Sequence, residues 1–132
     1  MKIQFKVTHP HIHKQRARVL RSGRSYTPKE TVQAEDEIRD SFRRNAGRYG
    51  ALLVGALEID IRAEIKIPKS RRDLHDAQPH TQKPDCDNIA KLVMDALNGV
   101  AYKDDSQIYK VNVSKRWTTK WTSLTIEIKE CE

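Results

Sequence analysis

The chain has only two cysteines, Cys86 and Cys131, in 132 residues. That is too few for a disulfide framework, and they form no C-x-x-C pair. No apolar run approaches the ~18 residues that a membrane helix needs. The opening Met1-Lys2-Ile3-Gln4-Phe5-Lys6 alternates apolar with polar residues, which does not suit a secretory leader. Aromatic residues make up 6% of the chain, and glycine and proline number five each, so low-complexity and collagen-like classes are excluded. A soluble cytoplasmic protein with no membrane partner is expected. Charge, by contrast, is abundant. Charged residues are 33% of the chain, with 25 Lys and Arg against 18 Asp and Glu, for a net charge of +7. With 37% hydrophobic residues, a chain of this length suits one domain around one core.

The excess of positive charge is local. Residues 1–48 hold 12 basic and five acidic side chains, while residues 49–132 hold 13 of each. Lys14, Arg16, Arg18, Arg21 and Arg24 all precede the first acid, Glu30. Ser22 and Gly23 mark the stretch as a loop or hairpin tip. Such a loop is either merely solvated or a phosphate-gripping arm, since guanidinium groups match phosphate oxygens.

The patterning predicts the order β-α-β-α-β-β with a mixed sheet: one α/β domain of α+β character with two main helices. Ile3, Phe5 and Val7 alternate with polar residues as in a half-buried strand. Thr27-Pro28-Lys29-Glu30 reads as a helix start with its capping box, and Ala34, Ile38 and Phe42 line one face to about Ala46. Residues 56–67 alternate as a strand, and 69–84 read as a long loop of the kind that is often functional. Ile89, Leu92, Val93, Ala96 and Leu97 predict a buried helix over about 88–98. Residues 109–113 and 124–128 read as a hairpin turning near 118–120, with Trp117 and Trp121 at its end.

Chemistry is suggested by Lys83-Pro84-Asp85-Cys86-Asp87-Asn88, where two carboxylates precede a buried helix. On an extended segment Asp85 and Asp87 would share a face, their Cα atoms about 7 Å apart. A helix cap, most naturally Asp87, would explain one of them. Lys91 lies four residues beyond Asp87, where a cation beside the helix start is disfavoured by the macrodipole. Asp104 and Asp105 follow. The seven residues from Gly99 reach about 23 Å, against ~16 Å for the helix, so the second pair can return to the first. Three or four converging carboxylates would repel one another and raise their own pKa values. Mg²⁺ or Mn²⁺ would reverse that cost and could place metal on a scissile phosphate.

Lys83–Lys91, then Asp95-Ala96-Leu97-Asn98-Gly99-Val100, then Asp104-Asp105-Ser106-Gln107-Ile108 resemble the core signature of the RusA family, crossover-junction endodeoxyribonucleases of bacteria and phages. The resemblance extends more loosely to His13–Arg18, to Tyr26-Thr27-Pro28 and to the last two strands. It implies a homodimer that resolves four-way DNA junctions by paired nicks with Mg²⁺ or Mn²⁺. It also implies Asp85, Asp87 and Asp105 as essential carboxylates and metal ligands, Asp104 as the uncertain neighbour, and Lys91 as the essential lysine. Lys14, Arg16, Arg18, Arg21 and Arg24 would then grip DNA. Cys86 is expected as a small buried hydrophobe.

Other readings have weaker support. His9, His11 and His13 form H-x-H-x-H, but Pro10 interrupts the strand and no acid or cysteine stands beside them. Within the 69–84 loop nothing in the spacing selects His75, His80, Asp73 or Asp76 as a base. A non-catalytic basic nucleic-acid-binding module is the alternative function. A D-x-D phosphotransferase or glycosyltransferase would normally carry its motif after an apolar strand, and polar residues precede this one.

Overall fold

Alternating apolar residues on three strands create one apolar sheet face that two amphipathic helices cover, while on the fourth strand Tyr109 and Val111 stay exposed. The computed structural model describes residues 1–12, 18–19, 21–23, 25–26, 29–46 and 52–131. The elements are β1 (Lys2–Thr8), β2 (Arg18–Val19), β3 (Ser25–Tyr26), α1 (Lys29–Ala46), β4 (Leu57–Lys66), α2 (Cys86–Leu97), β5 (Ile108–Thr118) and β6 (Ser123–Glu130). Strand order in the main sheet is β1-β6-β4-β5, with β4 and β5 parallel and the other pairs antiparallel. The domain is therefore α+β with a mixed sheet, in the expected element order. No described helix is long and apolar enough to cross a membrane.

The last two strands do not form the expected hairpin, because β4 lies between them. The connection over residues 119–122 instead passes the end of β4. There the Lys66 amide donates to Thr122 Oγ1 at 3.0 Å and the Ile67 amide donates to the Thr118 carbonyl at 2.9 Å. A period of two fixes which face of a strand is buried and says nothing about which strand lies beside it. Burying Leu57, Ile59 and Ile61 in mid-sheet completes a core with Phe5, Leu124, Ile126 and Ile128.

Both helices bury the faces that their spacing marks out. In α1 these are Ala34, Ile38, Phe42 and Ala46, and in α2 Ile89, Leu92, Val93, Ala96 and Leu97. α1 packs on α2 and on β1, with the Phe5 and Phe42 rings edge to face at 5.6 Å. The predicted caps of α1, Thr27 and Pro28, lie outside the described residues. The basic segment contains the small antiparallel ladder β2–β3, closed by a turn at Gly23, whose φ of +84° suits glycine.

The 69–84 loop is more ordered than expected of a structureless connection. It runs beside β5: the Ala77 amide donates to the Trp117 carbonyl, the Trp117 amide to the Gln78 carbonyl, and the His80 amide to the Lys115 carbonyl, at 2.8–3.0 Å. His80 is buried with its ring 4.2 Å from that of Trp117, so both belong to the packing. Arg71 forks onto Asp73 and holds its carboxyl at about 2.

Ile61 is fully buried at the sheet centre, whereas Val32 on α1 is 43% exposed. Ile61→Ala is expected to cost about 2–5 kcal/mol in urea unfolding and Val32→Ala within about 0.5 kcal/mol. Equal costs would contradict this core.

Candidate active site

Helix α2 begins at Cys86, two residues earlier than the sequence suggests. Asp85 rather than Asp87 thus takes the N-cap position, with extended backbone (φ −73°, ψ 156°) and no capping hydrogen bond from its side chain. Asp87 stands inside the first turn. The shared extended face expected of the two does not form, because one lies on a helix whose residues two apart diverge. Both are exposed, and among the described residues neither carboxylate has a hydrogen bond or ion pair. Cys86 is also exposed, contrary to the expected buried hydrophobe: it is in line with Ile89 and Val93 but stands at the first position of the helix, ahead of the covered part of that stripe.

The loop leading into Asp85 is held from β5. Lys115 Nζ donates to the carbonyls of Gln82 and Pro84 at 2.7 and 2.8 Å, and the Lys83–Pro84 peptide is cis. The N-terminus of α2 is thereby fixed beside the middle of β5, with Cys86 Sγ 4.0 Å from the Val113 carbonyl oxygen.

Lys91 pairs forward with Asp95 at 3.7 Å, not back with Asp87. Asp95, which lies within the Asp95–Val100 stretch of the family signature, is thus the partner of Lys91. Its signal was the i,i+4 spacing from Lys91 on the polar face of α2.

Beyond α2 the chain turns sharply: the Gly99 amide donates to the Tyr102 carbonyl at 2.7 Å, and the buried Tyr102 hydroxyl donates to the Met94 carbonyl at 2.7 Å. The charges acting on Asp105 are those of Asp104, Asp95 and Lys91. Within one chain, no group of three or more potential metal ligands assembles among the described residues.

Gln107 organises this second pair. Its side-chain oxygen accepts from the Lys103 and Asp104 amides at 2.9 and 3.1 Å, and its nitrogen donates to the carbonyls of Leu53 and Gly55 at 3.1 Å each. Asp104 caps the short 3-10 turn Asp105–Gln107, accepting from the Ser106 amide at 3.2 Å. These bonds separate the two neighbours. Asp104 is held below the usual carboxylate range, first by the Ser106 amide and then by a hydrogen bond from Asp105. Asp105 is pushed up, first by burial and then by Asp104 and Asp95, with Lys91 opposing. Asp104 is thus committed to capping, and Asp105 is the carboxylate that a cation would relieve.

The donor set suits a hard divalent cation in its chemistry, being carboxylate oxygen without thiolate or imidazole. Asp85 and Asp87 stand at the start of α2, and Asp105 stands in the 3-10 turn beyond it, within the fields of Lys91 and Asp95. Of the basic residues, Arg21 is exposed in the turn between β2 and β3. Lys14, Arg16 and Arg24, and the side chain of Arg18, lie outside the described residues, as does His13. His11 is engaged with Glu37 on α1, its Nδ1 3.1 Å from the carboxylate.

A family model described as Endodeoxyribonuclease RusA matches residues 9–129. The chain is also similar to YqaN, an uncharacterised protein of Bacillus subtilis strain 168, at 38% identity over 76 residues. That match covers 52% of this chain and 54% of the relative, so the chain spans about half the relative's length.

Two outcomes follow from this geometry. Because the folded state raises the Asp105 pKa, its burden on stability is absent below the ordinary range near 3.9 and complete above the raised value. Asp105→Asn is therefore expected to raise the thermal midpoint at pH 7 and leave it near wild type at pH 3; a midpoint unchanged at both would remove the burden. Gln107→Ala should cost about 1–3 kcal/mol and speed amide exchange at Lys103 and Asp104, where unaltered exchange would show that the turn holds itself.

Proposed function

We propose that this chain, which belongs to the RusA endodeoxyribonuclease family, resolves four-way DNA junctions by metal-dependent nicking. The observation that carries this reading is the start of α2. Asp85 occupies a cap position without capping, Asp87 stands two residues on, and neither carboxylate has a structural use among the described residues. Solvated carboxylates at a helix start are favoured by the macrodipole, and with no internal partner both are free to meet a hard cation.

In this reading Asp85, Asp87 and Asp105 hold Mg²⁺ or Mn²⁺, which supplies an activated water and neutralises charge on the leaving oxygen. Asp104 keeps its capping role and orients Asp105. Lys91 is the cation facing the scissile phosphate, and its exposed ammonium is steered by Asp95. Arg21 and the basic residues Lys14, Arg16, Arg18 and Arg24 grip the backbone without regard to sequence. A junction is close to two-fold symmetric and two opposed nicks need two equivalent centres, so the acting unit is a homodimer.

A second reading, a basic module that binds branched DNA without cutting it, is favoured by one observation: among the described residues no three carboxylates gather within a single chain. Incubation with a synthetic four-way junction, with and without Mg²⁺, separates the two. Under the nuclease reading wild type gives symmetric nicks that need metal. Asp87→Asn and Lys91→Ala then lose at least about a hundredfold in rate, the scale of removing one transition-state electrostatic group. Metal-free junction binding by Asp87→Asn should persist or tighten. Binding without nicks in any metal would establish the module instead.

A further inference from the structure

Trp121 is 46% exposed, on the connection between β5 and β6, and it is held there firmly. Asp76 Oδ1 accepts from the Thr119 amide at 2.9 Å, the Lys66 amide donates to Thr122 Oγ1 at 3.0 Å, and the His9 amide donates to the Thr122 carbonyl at 2.8 Å. Three separate segments thus clamp a four-residue connection whose largest side chain faces water. Trp117, four residues earlier, shows the contrast: it is 5% exposed and packed on His80.

His9 completes the arrangement. It has φ +54°, in the left-handed region, which histidine adopts more readily than most non-glycine residues. Its exposed ring lies 6.3 Å from that of Trp121, tilted by 37°. Lys120, exposed, is the neighbour of Trp121 in sequence. In sequence the basic arm begins at Lys14, five residues after His9. The start of α2 meets the middle of β5 at Val113, five residues short of the end of that strand at Thr118, about 17 Å of strand, and the loop along that edge leads from Asp76 to Asp85.

A firmly held, half-exposed indole beside an exposed imidazole has the features of a stacking platform for a nucleobase. We propose that Trp121 and His9 form a stacking site for an unpaired nucleobase at the branch point of the DNA. A fully paired duplex hides its base faces, so the platform would add affinity for branched over linear DNA. This inference rests on the DNA-binding reading above and adds a residue-level source of structure selectivity to it.

The test measures metal-free binding of wild type, Trp121→Phe and Trp121→Ala to a four-way junction and to a linear duplex of the same arm sequence. A 2-aminopurine at the branch point reports stacking, and sedimentation of each variant reports its oligomeric state. Trp121→Ala is expected to bind the junction about tenfold more weakly, as for the loss of one base–aromatic stack. Trp121→Phe should retain most of the affinity and the 2-aminopurine quenching, and duplex binding should be unchanged in both. Junction affinity unchanged in Trp121→Ala, or equal losses on junction and duplex, would overturn the platform while leaving the DNA-binding reading intact. A changed oligomeric state would assign Trp121 to a contact between copies of the chain and would likewise overturn it. If wild type binds neither DNA, the functional reading fails and the platform with it.

Discussion

The apolar stripe of α2 constrains everything around it. Ile89, Leu92, Val93, Ala96 and Leu97 are each fully removed from solvent against the sheet and α1. At roughly 25 cal/mol per Å² of apolar surface, releasing such a stripe would cost several kcal/mol, a large part of any domain's net stability. The helix can therefore neither rotate nor slide. With its inner face fixed, Lys91 and Asp87 must face outward and Asp85 must stand at the exposed N-terminus. The polar face of α2 needs no separate device to hold it in place.

Two further fastenings transmit that constraint to the acidic residues. Lys115 reaches from β5 to the carbonyls preceding Asp85, and Gln107 ties the second acidic pair to Leu53 and Gly55. Both fasten backbone, which leaves the carboxylates themselves available. The electrostatics differ accordingly. Asp104 is satisfied locally by the Ser106 amide, while Asp105 bears the repulsion of Asp104 and Asp95. Neighbours in sequence thus have different capacities for binding a cation, a distinction that charge alone does not make.

Much of this was legible in the residues. The stripes of α1 and α2 and the alternation of β1 and β4 lie where the periodicity placed them, because local burial pattern and local sequence are the same information. The motifs at Asp85, Asp87, Lys91 and Asp105 carried the family resemblance. Other features were not legible. Ser123–Glu130 alternates in the same way whether it pairs with β5 or with β4, so the insertion of β4 between the last two strands left no local trace. The start of α2 was misread because Asp87, like Asp85, has the chemistry of a cap, and only the packing of Ile89 and Val93 decides which residue stands at the end. Asp95 was passed over because its partner, Lys91, had an equally spaced acid on the other side.

The sequence by itself determined which residues face inward, where the positive charge concentrates and which carboxylates are candidates for chemistry, since each follows from the order of side chains along a helix or strand. Only the tertiary structure decided which strands are neighbours, that Lys91 turns to Asp95, that Asp104 caps while Asp105 does not, and that Trp117 is core while Trp121 is surface. Those outcomes depend on contacts between segments far apart in the chain, chosen by how the whole apolar core closes.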